Sequence, residues 1–157
     1  RRRRGGQRAA QRYLRRVFAL LALIAVACAP PPALEGFETA EIEVGEASLT
    51  VALAETSYQR SQGLRDIEDL PGGLDGMLFV FEETRTASFG MRDTSIPLDI
   101  WWFDSEGRLI DATEMEPCPY SPCPAYPSPG EVAWALETPL GQWEFVAGEV
   151  LMVRTGS

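Results

Sequence analysis

The run Leu98-Asp99-Ile100-Trp101-Trp102-Phe103 constrains the fold more than any other stretch of this chain. Side chains alternate across a strand, so Leu98, Ile100 and Trp102 point one way and Asp99, Trp101 and Phe103 the other. Both sets are apolar apart from Asp99. Such a strand must be covered on both faces, and its carboxylate is expected to be at least partly buried. A buried carboxylate has to be ion-paired, hydrogen-bonded or protonated. Arg60 and Arg92 are the expected ion-pair partners, and capping of nearby backbone donors is the alternative.

The rest of the domain has the same strand character. In "EIEVGEASLTVALAE", Ile42 and Val44, then Leu49, Val51 and Leu53, share faces at period two around Gly45-Glu46, which predicts a β-hairpin. "TSYQRSQGL", residues 56–64, predicts one short helix with Thr56 as N-cap and Gly63 as stop. After the turn residues "LPGGLDG", Met77–Phe81 form a continuous apolar run that predicts a buried strand. "ASFGM" and "PLDIWWF" read as two further strands, and "DSEG" as the turn of a hairpin continuing into "RLIDATEM". "EVAWALE" and "VLMVR" read as the last strands. The pattern predicts a mostly β fold, a small antiparallel or mixed barrel-like sheet with one short helix.

The N-terminal residues have another purpose. Residues 1–16 hold eight of the fourteen arginines, residues 17–27 read "VFALLALIAVA", and Cys28 follows. A basic stretch, a short apolar stretch and small residues make a signal peptide over 1–27; the apolar run falls short of the ~20 residues of a membrane-spanning helix. "AVAC" is similar to a lipobox, which makes Cys28 the expected lipid-attachment site and tethers the chain to a membrane facing the periplasm or the cell exterior. Export by the general or the twin-arginine route is left open by Arg15-Arg16. Residues 28–38, with their prolines, read as a tether, and 39–157 as one globular domain, taken to be monomeric.

Charge and composition exclude several functions. From Cys28 onward, six arginines against twenty-three acids leave a formal charge of −17, which repels phosphates and argues against nucleic-acid binding. Histidine is absent, so Ser-His and Cys-His nucleophile pairs and His-ligated zinc are excluded. Met77 and Met91 alone are too few for a copper site, and "DSEG" lacks the spacing of a calcium loop. No metal or cofactor is expected. In an exported chain, Cys118 and Cys123 are expected to form a disulfide, worth about 2 kcal/mol for so small a loop.

Several ordered motifs carry a resemblance. "TSYQRSQGL", "GMLFVF", "FGMRDTSIPLDIWWFDSEGRLI", "EPCPYSPCPAY" and "AWALE" together resemble the prokaryotic family called domain of unknown function 192, over roughly residues 40–152. The resemblance implies a small mostly β barrel with a short helix and no established activity. This chain has Gly90 where the family has Trp, Arg92-Asp93 where it has Lys-Asn, and Arg65 where Met is common.

Three functions follow from these residues. A binding or accessory envelope protein would hold a small molecule, glycan or protein ligand in a pocket lined by Met77, Phe79, Phe89, Met91 and Trp101, with Arg60, Arg92, Asp93, Thr94 and Asp99 as polar groups. A carboxylate-based hydrolase would use two acids among Asp93, Asp99 and Asp111, though no catalytic residue can be singled out. A structural module would use Asp99 and Arg60 to hold the barrel together.

Overall fold

The computed structural model describes residues 34–154. The expected signal peptide, Cys28 and the expected tether up to residue 33 lie outside them. Seven strands and one helix follow in order: β1 (Thr39–Val44), β2 (Ala47–Ala54), α1 (Ser57–Gln62), β3 (Gly76–Phe89), β4 (Leu98–Phe103), β5 (Leu109–Met115), β6 (Tyr126–Pro139) and β7 (Leu151–Arg154). They form one sheet of order β5-β4-β6-β3-β2-β1-β7, curled into a half-barrel. β2 and β3 pair in parallel, joined by the crossover that contains α1, and the other neighbours are antiparallel.

Local chemistry accounts for the elements. Gly45, at φ +59°, opens the two-residue turn of the β1–β2 hairpin. Thr56 caps α1 through a full capping box, its Oγ1 accepting from the Gln59 amide and the Gln59 side chain accepting from the Thr56 amide. Gly63, at φ +52°, ends the helix. At the β4–β5 turn, Asp104 Oδ1 accepts from the amides of Glu106 and Arg108 at 2.9 and 2.8 Å.

One expected element is redrawn. "ASFGM" is not a strand of its own: Ala87–Phe89 are the end of the fourteen-residue β3. β3 leaves its register after Val80↔Trp134 and regains it at Arg85↔Val132, so Phe81–Thr84 bulge out opposite a single residue, Ala133. The strand then resumes pairing with Tyr126 and Pro127, which starts β6 ahead of "EVAWALE". The polar Glu82-Glu83 pair in the bulge interrupts the alternation, so the sequence reads as two strands.

Both faces of the sheet are packed. The inside of the curl holds Ile42, Leu49, Val51, Leu78, Trp101, Phe103 and Leu136. The outer face, beneath α1 and the loops, holds Met77, Phe79, Leu98, Ile100, Trp102 and Ala135, with Leu64, Ile67 and Met91 laid over it. Leu34 and Phe37, at the end of the proline-rich stretch, pack on that side too. β4 is buried at every residue, as its composition demands.

The two edges of the sheet meet at one end. Leu109 N donates to Glu149 O, Gly148 N to Leu109 O and Leu151 N to Gly107 O, each at 2.8 Å. Gly107 is required there, because a Cβ would lie 2.8 Å from the Leu151 carbonyl.

The partner of Asp99 is not an arginine. Its Oδ2 accepts from the backbone amide of Gly141 at 2.7 Å, while Leu140 N donates to Pro97 O at 2.9 Å, so β4 holds the turn that follows β6. Arg60 and Arg92 bond elsewhere, and the expected Asp99–arginine ion pair is absent among the described residues. The proximity of the β6 turn supplies a neutral donor, which satisfies the carboxylate without a second buried charge. Asp99→Ala leaves that amide without its acceptor and is expected to lower stability by about 1–3 kcal/mol, with Asp99→Asn closer to the parent. Urea denaturation measures both; an unchanged midpoint for Asp99→Ala would refute this role.

Candidate functional site

A cleft of about 620 Å³ opens between α1 with the residues after it and the outer part of β3. Its walls are Leu64, Phe79, Phe81 and Phe89, its polar groups include Thr94, and its floor is Glu137. The pairing of β6 fixes that floor. Glu137 stands opposite Met77 of β3 and Ile100 of β4, on the face they share beneath the helix. Glu137 is 6% exposed and no protein donor or cation reaches its carboxyl among the described residues; its oxygens keep contact with the cleft, whereas the fully sealed side-chain atoms without a partner are Trp102 Nε1 and Trp143 Nε1. Burial therefore pushes its pKa up from 4.5 to about 8, so the group is largely protonated at neutral pH.

The cleft lining is basic in a domain rich in acids. Three of the six arginines after Cys28, namely Arg60, Arg65 and Arg85, line it, while Glu137 is the sole acid of the lining. Arg60 is positioned by the backbone: its guanidinium donates to Val80 O at 2.9 Å and to Glu55 O. Arg60 and Arg85 both sit over the Phe81 ring, 5.8 and 6.0 Å from its centre, and Glu82 and Glu83 of the same bulge line an adjoining hollow with them.

Thr94 lies on a clasped loop. Asp66 and Asp93 both adopt φ +59°, and the Asp66 amide donates to the Asp93 carbonyl at 2.7 Å, tying the segment after α1 to the segment before β4. Asp and Asn tolerate this left-handed backbone better than other side-chain-bearing residues. The Asn that the family pattern has at position 93 thus finds a conformational reason, and Asp93 itself is exposed. On the far side of the loop, Cys118 and Cys123 form the disulfide, with Cα atoms 5.7 Å apart. Cys118 N donates to Met91 O at 3.3 Å and Arg92 to Ser121 Oγ at 2.9 Å, so the disulfide loop braces the segment that carries Thr94.

The sheet divides the other residues singled out in the sequence. Arg60, Phe79, Phe89 and Thr94 line the cleft. Met77 and Met91 are sealed in the core of the same face, at 0% and 1% exposure. Arg92 is exposed on the loop. Asp99 and Trp101 are on the opposite face, where they border a separate hollow of about 340 Å³ with Glu114, Trp143 and Glu144. There the Trp101 Nε1 donates to Thr138 Oγ1 at 3.0 Å.

Glu137 is the cleft residue that sequence reasoning misses. At the end of "VAWALE" it reads as the polar end of a strand, and only the position of β6 between β3 and β4 buries it. Its one sequence signal is period two: Ala135 and Glu137 share the face opposite Trp134 and Leu136.

These features define a class: a mixed-sheet half-barrel with a basic, acid-floored cleft beside its short helix. The chain belongs to the domain of unknown function 192 family, described as an uncharacterized ACR, which it matches over residues 40–149. Among solved structures it is similar to a Sinorhizobium meliloti protein described as a proposed transcription regulator, at 30% identity over 74% of this chain and 95% of that one, with a TM-score of 0.63. It is also similar to a Novosphingobium aromaticivorans protein of unknown function, at 25% identity over 76% and 88% of the two chains, with a TM-score of 0.66. No curated protein matches it significantly.

The raised pKa has a thermodynamic consequence. Below pH 4.5 both folded and unfolded chains hold the Glu137 proton; between 4.5 and 8 only the folded chain does, so rising pH draws the equilibrium toward the unfolded state. By pH 7 this costs about 3 kcal/mol. Glu137→Gln is expected to recover most of that stability at pH 7 and to flatten the decline between pH 5 and 8. Denaturant melts across this range decide; a variant with the parent's pH profile would show that Glu137 ionises normally.

Proposed function

We propose that this chain is an exported, lipid-anchored envelope protein that binds a small molecule in the Glu137 cleft. The observation that carries the binding reading is the largely buried carboxyl of Glu137, which has no protein partner among the described residues and faces the cleft. A site serving stability alone would hold an apolar side chain there, since a bare buried carboxyl costs free energy at neutral pH. Ligand sites are apolar clefts with a few polar groups, and Phe79, Phe89, Thr94 and Glu137 make such a set. Export and anchoring rest on the basic leader, the apolar run of 17–27 and Cys28.

The hydrolase reading is disfavoured by geometry. Two-carboxylate chemistry needs a second acid across the substrate, and the cleft lining offers Glu137 alone. Asp99 is behind the sheet, and Asp93 and Asp111 are exposed. The role proposed for the Sinorhizobium protein is not carried over, because a charge of −17 from Cys28 onward opposes DNA binding.

Two measurements test the proposal. Cys28→Ala is expected to move the protein from the membrane to the soluble fraction and to remove the acyl mass from the N-terminal peptide in mass spectrometry. An unmodified Cys28 in the wild type would refute the anchor. A chemically mixed fragment library screened by two-dimensional NMR should shift the amides of Ser88, Phe89 and Thr94; a library that leaves them unmoved would refute the binding site.

A further inference from the structure

The cleft has two chemically different ends. Toward its mouth stand Arg60 from α1, Arg65 just beyond it and the exposed Arg85 from β3. The two buried polar residues of the cleft are Glu137 and Thr94. Its walls include the rings of Phe79 and Phe89, in edge-to-face contact with centres 4.7 Å apart. A cation entering would pass the arginines first and would find no anion waiting, because the floor carboxyl holds its proton at neutral pH. An anion is drawn in by the three guanidinium groups, against the acidic field of the remaining surface.

We propose that the cleft takes a small organic carboxylate with an apolar body and a carbonyl at its far end: the arginines hold the carboxylate, the phenylalanines the body, and the Glu137 carboxyl donates a hydrogen bond to the carbonyl. This rests on the binding reading above and names its ligand class. Arginine pairs with carboxylates through its planar fork of donors. A protonated carboxyl donates one hydrogen bond, and a carbonyl is its simplest acceptor. The bond gives the buried group the partner that the protein withholds.

Binding is then linked to a proton. The carbonyl needs the protonated form, so affinity holds below the pKa of about 8 and falls about tenfold for each pH unit above it. The charged groups that line the cleft from α1, the segment after it and β3 are Arg60, Arg65 and Arg85, and Thr94 from the loop carries no charge. The carbonyl depends on the proton of Glu137, so the decline above pH 8 reports that group.

The test is a calorimetric and NMR titration of the full folded domain with three methyl-keto acids of increasing reach: 4-oxopentanoate, 6-oxoheptanoate and 8-oxononanoate. Each is compared with the matching fatty acid, which lacks the carbonyl, and with the matching keto amide and keto amine, which lack the negative charge. One keto acid is expected to bind at least about tenfold tighter than all its counterparts, to shift Phe89 and Thr94, and to weaken above pH 8. Glu137→Gln, which keeps a donor, is expected to bind it with no such decline. Tighter binding of the amides or amines, or a keto-acid affinity that is flat from pH 6 to 10 in the wild type, would overturn the ligand class while leaving the cleft a binding site. Failure of every probe would overturn it too, and the fragment library then decides whether the cleft binds anything.

Discussion

The pairing of β6 between β3 and β4 is the constraint on which the molecule depends. It joins the β1–β2–β3 half of the sheet to the β4–β5 half, and it sets Glu137 opposite Met77 and Ile100. Gly76 marks how close that pairing is, since a Cβ there would lie 2.1 Å from the Glu137 carbonyl. The central strand of a sheet packed on both faces leaves a carboxyl no route to bulk water except the cleft. The raised pKa, the cost in stability and the proposed hydrogen bond to a ligand all follow from that placement.

Two lesser devices hold the cleft open beside this strand. The β3 bulge lifts Phe81 away from β6, with Arg60 of α1 and Arg85 beside its ring, and the loops before β4 and after α1 clasp each other through Asp66 and Asp93. The disulfide loop braces the second of these from outside. Asp99, on the opposite face, fastens the turn after β6 to β4 through Gly141 and so steadies the strand end next to Glu137. Its isolation in an apolar strand is explained by that one backbone donor.

Much of the fold is legible in the sequence because it is locally encoded. The β1–β2 hairpin, the Thr56 cap, the Gly63 stop and the β4–β5 turn are each set by residues within a few positions of one another. The apolar character of Leu98–Phe103 announces a strand covered on both sides. The length of β3 is not legible, because pairing with Tyr126 and Pro127 restores the strand across a polar bulge. The site is legible only in part: Arg60, Phe79, Phe89 and Thr94 were identifiable by their motifs, while Asp99 and Trp101 are separated from them by the sheet itself. Glu137 depends on which strands flank β6, a long-range fact that no local pattern carries.

The proposed chemistry of the cleft depends on the ionisation state of one side chain. Titration of the Glu137 side-chain carboxyl carbon, followed by NMR in the folded wild-type protein and assigned with Glu137→Gln, measures it directly. The structure predicts a midpoint of about 8, raised by burial from 4.5. A midpoint near 4.5 would mean that water or a cation already serves the group, and would contradict the neutral, waiting donor on which the proposed chemistry rests.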